Sequence, residues 1–231
     1  MNNNSKKECV LFFVKYPEKG KVKNRLSSAL EHASVVELYK NFVLDILATL
    51  DKSKIPFWIC YSPSRKLKKL AQWLGKHHTY KPQYGENLGE RMKDCFSHSF
   101  SEGFERVVVI GSDSPDISEN LIKRSLKSLR KNNAVIGPSY DGGYYLLGFR
   151  KGDFNPKIFD KVRWSSSQVF DQTVNTLRKN KSSFNILPNL RDIDTYSDLN
   201  SFYKKAAKVR GKESRTWNYL VNNKEALKLK T

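Results

Sequence analysis

The chain has 231 residues, of which 39% are hydrophobic and 28% charged. That composition suits one compact domain with ample length for a core, and it argues against disorder, collagen-like repeats or a low-complexity scaffold. Lys and Arg number 42 against 23 Asp and Glu, a formal net charge of +19, so an anion is the expected partner. No apolar run approaches the roughly 20 residues needed to cross a bilayer. The opening MNNNSKKE lacks the apolar stretch and cleavage site of a secretory signal, which makes a cytoplasmic protein the expectation. Cys9, Cys60 and Cys95 are odd in number, far apart and without paired spacing, so they predict neither a disulfide frame nor a structural zinc. Two of them lie in strand-like segments and read as small apolar packing residues. His32, His77, His78 and His98 show no zinc spacing and read as surface residues.

In chain order, Cys9 to Lys15 (CVLFFVK) predicts a strand buried on both faces, closed by Pro17 and Gly20. From Ser34 to Leu50, Val35, Tyr39, Phe42, Val43, Ile46, Leu47 and Leu50 recur at three- and four-residue spacings, the apolar stripe of a helix. Pro56 to Tyr61 reads as a strand and Arg65 to Leu74 as a helix. A turn-rich stretch from Lys81 to Gly89 precedes a helix from about Arg91 to about Phe100. Arg106 to Ile110 (RVVVI) is the clearest strand, followed by a helix from Glu119 to Arg130 and strands at Ala134 to Gly137 and Tyr144 to Phe149. A helix from Ser165 to Leu177, opened by a capping box from Ser165 to Gln168, leads to a short strand from Phe184 to Leu187 and a final helix. Strands alternating with helices of this length predict a mainly parallel sheet covered on both faces, a three-layer α/β sandwich.

Ligands of open parallel sheets bind beyond the carboxyl ends of the strands. After the first strand, KYPEKGKVKNRL carries Lys15, Pro17, Gly20, Lys21, Lys23 and Arg25. Such a cationic loop can wrap a pyrophosphate with backbone N–H groups, Lys charges and a planar Arg, although a solvated basic turn has the same composition. It matches neither the GxxxxGK-S/T phosphate loop nor the GxGxxG dinucleotide fingerprint. Asp113 ends the clearest strand in GSDSPD, a place where a carboxylate can hold Mg²⁺ or Mn²⁺ on phosphate oxygens, the alternative being a turn Asp bonded to its own backbone. Asp116 reads as a helix cap. Asp141-Gly142-Gly143 allows close backbone approach to a ligand, with Asp141 able to accept a proton, but Asp-Gly is equally a hairpin dipeptide. In Asp192-Ile193-Asp194-Thr195 alternate carboxylates point to opposite sides, so only one of them can face a metal; Asp194 or Thr195 equally suits a helix cap. GENLGERM, with Glu90 and Arg91, could close over a base or ribose, and Trp164-Ser165 could line an acceptor pocket or open a helix.

Taken in order, KYPEKGKVKNRL, GENLGERM, GSDSPD, GPSYDGGYYLLG and DIDTYSDL resemble the GT-A-fold transferases of the DUF2064 group. That group is related to molybdopterin- and F420-pathway nucleotidylyltransferases and is often described as arsenosugar-biosynthesis-type glycosyltransferases. The resemblance spans roughly Cys9 to Leu199 and implies a nucleotide-diphospho-sugar transferase-like fold. By position it implies that Lys15, Pro17, Gly20, Lys23 and Arg25 form the phosphate loop and that Gly89, Glu90 and Arg91 lie on the nucleoside side. Asp113 becomes the metal-binding residue, with Asp194 a second carboxylate. Asp141, Gly142 and Gly143 border the sugar or acceptor, and Trp164 is the aromatic candidate from the residue reading beside them. Asn24 replaces the usual Thr before the loop arginine, Lys15-Tyr16-Pro17 replaces an AGG-type opening, and the DxD is spread as Asp113-Ser-Pro-Asp116. The missing AGG opening favours glycosyl over nucleotidylyl transfer.

The expectation is therefore an Mg²⁺- or Mn²⁺-assisted enzyme that moves a sugar from a nucleoside-diphosphate donor to a small acceptor. Lys23 and Arg25 would stabilise the leaving diphosphate, and Asp141 would serve as acceptor base. Nucleotidylyl transfer releasing pyrophosphate is the alternative, and a basic nucleic-acid-binding module the alternative of another class; no RNP, KH or zinc-finger pattern supports the last. Domain organisation is expected as a disordered N-terminus over 1–8, a transferase domain over 9–203, and a basic helix or tail over 204–231 that carries +7 of the charge. A homodimer stays open.

Overall fold

The structure, a computed structural model, describes residues 7–208 and 214–230. The elements in order are β1 (Glu8–Lys15), α1 (His32–Ser53), β2 (Phe57–Ser62), α2 (Leu67–Leu74), β3 (Thr79–Pro82), α3 (Leu88–Ser101) and β4 (Arg106–Ile110). There follow α4 (Glu119–Ser128), β5 (Ala134–Pro138), β6 (Tyr144–Arg150), α5 (Val169–Lys179), β7 (Phe184–Ile186), α6 (Tyr196–Lys208) and α7 (Arg215–Asn222). The seven strands form one sheet in the order β3-β2-β1-β4-β6-β5-β7. β6 runs antiparallel to its neighbours β4 and β5, and the other four pairings are parallel.

The two-faced burial expected of β1 is present. Val10, Phe12 and Val14 pack with Val43, Ile46 and Leu50 of α1, while Cys9, Leu11 and Phe13 pack with Met92 and Phe96 of α3 and Val174 of α5. Successive strand residues point to opposite faces, so one apolar run feeds both layers of the sandwich. A third cluster lies outside α1, where Leu26, Leu38 and Phe42 meet Leu199, Tyr203, Leu220, Leu227 and Leu229. All three cysteines are free and buried. Among the described residues no helix is long and apolar enough to cross a membrane. Of the N-terminal segment expected to be disordered, residues 1–6 lie outside the described residues and Glu8 opens β1; residues 209–213 and 231 of the basic tail also lie outside them.

Several boundaries differ from the sequence reading. β3 falls where a turn was expected to begin, because a four-residue edge strand ending in Pro82 has too little apolar pattern to be seen. α3 starts three residues early: Asn87 accepts the Glu90 N–H at 3.0 Å, and the Glu90 carboxylate accepts the Glu86 N–H at 2.8 Å. The expected Ser165–Gln168 capping box does not form, since Ser165 sits at φ 65° in a turn and α5 begins at Val169. The cap of α4 is Ser118 instead of Asp116, whose carboxylate accepts from Lys205 at 3.1 Å. His78 is no surface residue, with its side chain 5% exposed.

Candidate active site

Strand order reverses between β1 and β4, which sends their following loops apart and leaves a crevice at the carboxyl ends of both. Two ties fix those ends. The buried Tyr39 hydroxyl of α1 accepts the Lys15 N–H at 3.0 Å and lies 3.0 Å from Ser112 Oγ. The Ile193 N–H donates to the Asp113 carbonyl at 2.9 Å, laying the Asp192–Asp194 segment along the end of β4. Thr195 caps α6: its hydroxyl accepts the Asp198 N–H at 3.2 Å, while the Asp198 carboxylate accepts the Thr195 N–H at 2.9 Å. That leaves the Asp194 side chain available to the crevice.

Lys23 occupies the centre. Its Nζ lies 2.5 Å from Asp113 Oδ1 and 2.7 Å from Asp194 Oδ1, and its side chain is 4% exposed. Burial disfavours the ammonium, but the two carboxylates more than offset that and hold its pKa well above the ordinary lysine value. Burial and the Asp113 charge push Tyr39 up to about 12. Asp192 contacts Ser114 Oγ and lines a recess together with Asp194. Burial, with Asp113 and Asp141 adding to it and Ser114 opposing, raises its pKa to about 7.

Two carboxylate oxygens thus converge on one point now held by an ammonium. Asp113 is 45% exposed on its side chain, so the point is reachable from solvent. An all-oxygen pair of this kind suits Mg²⁺ or Mn²⁺, which are held by one or two carboxylates and completed by phosphate and water. The residues present fit such an ion provided the Lys23 ammonium moves aside.

Three adjoining recesses surround the pair. One of about 540 Å³ is lined by Lys15, Lys21, Lys23, Arg25, Asp113 and Asp194. A more apolar one of about 250 Å³ lies between Phe13, Gln83, Leu88, Arg91, Met92 and Tyr144 and shares Lys15 and Asp113 with the first. The third, about 290 Å³, is lined by Arg25, Tyr140, Asp141, Arg191, Asp192 and Asp194.

The crevice brings together Lys15, Lys23, Arg25, Arg91, Asp113, Asp141 and Asp194. Pro17 and Gly20 line none of these recesses; Gly20, at φ 68°, turns the loop, and the adjacent Glu18 pairs with Lys66. Glu90 serves as the α3 cap. Gly89 is covered by Trp164, whose ring a Cβ at Gly89 would meet at 2.4 Å, so these two pack on each other. Asp141 builds its turn, with Oδ1 accepting from Ser139 Oγ at 2.5 Å and from the Gly143 N–H at 2.9 Å. Gly142, at φ 86°, passes so close to Ser167 that a Cβ would lie 2.0 Å from its carbonyl oxygen. Sequence reading gave no role to Tyr39, Ser112 and Ser114. Tyr39 carries the stripe pattern of a core residue, and only its hydroxyl hinted at more.

The profile of the family described as "uncharacterized protein conserved in bacteria", DUF2064, matches residues 45–166, over half of the chain. A solved structure from Desulfovibrio desulfuricans G20, provisionally named a nucleotide-diphospho-sugar transferase, is 40% identical, covers 96% of this chain and 97% of its own, and superposes with a TM-score of 0.92. A 4-diphosphocytidyl-2C-methyl-D-erythritol synthase from Anaerococcus prevotii DSM 20548 is 16% identical with a TM-score of 0.57, covering 89% of this chain and all of its own. A cytidylyltransferase from Leptospira borgpetersenii serovar Hardjo-bovis is 15% identical with a TM-score of 0.54, covering 97% and 98%. The last two share the fold, a nucleotide-diphospho-sugar transferase-like sandwich; the profile and the 40% relative go further, and the chain belongs to the DUF2064 family.

Proposed function

We propose that this protein is a nucleotide-dependent transferase that moves a sugar from a nucleoside-diphosphate donor to a small acceptor. The observation that carries this reading is the convergence of Asp113, Asp194 and the buried Lys23 at the strand-order reversal, beside a recess rich in Lys and Arg. Asp113 and Asp194 are the residues that would hold Mg²⁺ or Mn²⁺, and the ion when bound supplies neutralisation of the diphosphate charge. Lys23, released from the carboxylates, and Arg25 take the phosphate oxygens and stabilise the charge that develops on the leaving diphosphate. Lys15 extends the same cationic wall. The apolar recess beside Gln83 and Arg91 takes the nucleoside. The third recess takes the acceptor, with Asp141 at its border as the group that accepts the acceptor's proton.

Nucleotidylyl transfer is the second reading, because the same sheet carries cytidylyl transfer in fold relatives. Incubation with nucleoside triphosphates and with nucleotide sugars in parallel separates the two: sugar transfer releases nucleoside diphosphate, nucleotidylyl transfer releases pyrophosphate. Asp113→Asn should abolish Mn²⁺-dependent donor binding in calorimetry with the melting transition intact; unchanged donor binding would remove Asp113 from the site.

A further inference from the structure

The far end of the parallel strands carries a second set of donors. α1 ends its last turns with Asp51, beside the start of β2, and the α2–β3 connection supplies His77 and His78. One ligand atom from each of Asp51, His77 and His78 lies within 4.8 Å of the other two. Asp51 Oδ1 is 3.9 Å from His78 Nδ1, and the two imidazole centroids are 3.9 Å apart. A separation of 3.9 Å is too long for a hydrogen bond. It is close to the roughly 3.4 Å between donors that tetrahedral Zn²⁺ with bonds of about 2.1 Å imposes.

The donors are held unequally, as a ligand set needs. His78 is 5% exposed on its side chain and lies against the Phe57 ring at 5.3 Å, so it is fixed; Asp51 is 49% exposed and can swing the remaining half ångström. Gly75, at φ 105°, makes the turn that folds His77 back: a Cβ there would stand 2.9 Å from His77 Cε1 and 3.1 Å from its Nδ1. Two imidazoles and one carboxylate select a borderline metal over Mg²⁺, which prefers oxygen. Lys52, Lys54 and Lys76 flank the group in sequence, which further disfavours a cation held by charge alone.

We propose that Asp51, His77 and His78 bind one transition-metal dication of the Zn²⁺ class, with the remaining position open to water, and so pin the end of α1 to the turn before β3. The site is chemically and spatially separate from the all-oxygen pair at Asp113 and Asp194. Full-length untagged protein, stripped with chelator and held in saturating Mg²⁺, is titrated with Zn²⁺ by calorimetry and with Co²⁺ by visible absorption. One saturable equivalent, a four-coordinate Co²⁺ spectrum and a raised melting temperature with Zn²⁺ are expected. His77→Ala and Asp51→Asn, both at exposed positions, should each weaken Zn²⁺ binding by at least the roughly 10–100-fold typical of losing an outer partner. Asp113→Asn should leave it unchanged. Absence of saturable binding overturns the proposal, and so does binding whose affinity and Co²⁺ spectrum survive both ligand substitutions.

Discussion

Replacing Lys23 by Met removes a buried ammonium and leaves the oxygens of Asp113 and Asp194, each within 2.7 Å of the former nitrogen, facing one another. They stand no more than about 5 Å apart, where two unit charges repel by about 3 kcal/mol at an effective dielectric of 20 and by under about 1 kcal/mol in water. Both carboxylates are partly exposed, which places the expectation between those limits, and Met spares the desolvation that the lysine had to overcome. The variant should therefore be less stable than the parent by about 2 kcal/mol at neutral pH and low salt. In a domain of this length that lowers the melting temperature by about 4–8 °C. Mn²⁺ should stabilise the variant more than the parent, because the ion no longer competes with a resident ammonium. Thermal denaturation of both proteins across a Mn²⁺ titration reads the two effects together. Equal stability without metal, combined with an equal or smaller Mn²⁺ response in the variant, would refute the picture of Lys23 as the occupant of a cation site.

Asp192 has its carboxyl raised from 3.8 to about 7, so the folded state binds the proton more tightly and wild-type stability falls as pH rises between those values. Asp192→Asn keeps a polar partner for Ser114 and should remove that fall, gaining on the order of 2–4 kcal/mol over wild type at pH 8 but little at pH 4; urea denaturation at both pH values checks it, and a pH-independent difference contradicts it. Tyr39→Phe leaves the Lys15 N–H and Ser112 Oγ without their common partner and should cost about 1–3 kcal/mol in the same measurement. Gly89→Ala drives a methyl into the Trp164 ring at 2.4 Å, so tryptophan emission should shift as the indole is displaced; an unchanged spectrum would show that the ring does not rest on α3.

Most of the sheet was legible because apolar runs on both faces of a parallel strand are hard to mistake, as CVLFFVK and RVVVI illustrate. Thr79–Pro82 was not, since an edge strand of four residues gains its place from pairing with β2 instead of from its own pattern. The cationic loop and Asp113 could be picked out one by one, but their contact could not: Lys23 and Asp194 are separated by 171 positions and meet only through tertiary folding. GENLGERM shows the opposite difficulty, in which a local reading of Glu90 as a ligand competes with a local helix cap, and the cap forms. The Asp51–His77–His78 group escaped spacing rules because Asp51 arrives from α1, while the two histidines sit together on the α2–β3 connection.

The bond from the Ile193 amide to the Asp113 carbonyl joins main chain to main chain. The approach of the main chain at Asp194, next to Ile193, to that at Asp113, just past β4, is consequently inherited from peptide geometry and does not depend on the surrounding side chains. A substitution on the rim of any of the three recesses therefore leaves that main-chain bond, and the frame it sets at the centre, in place.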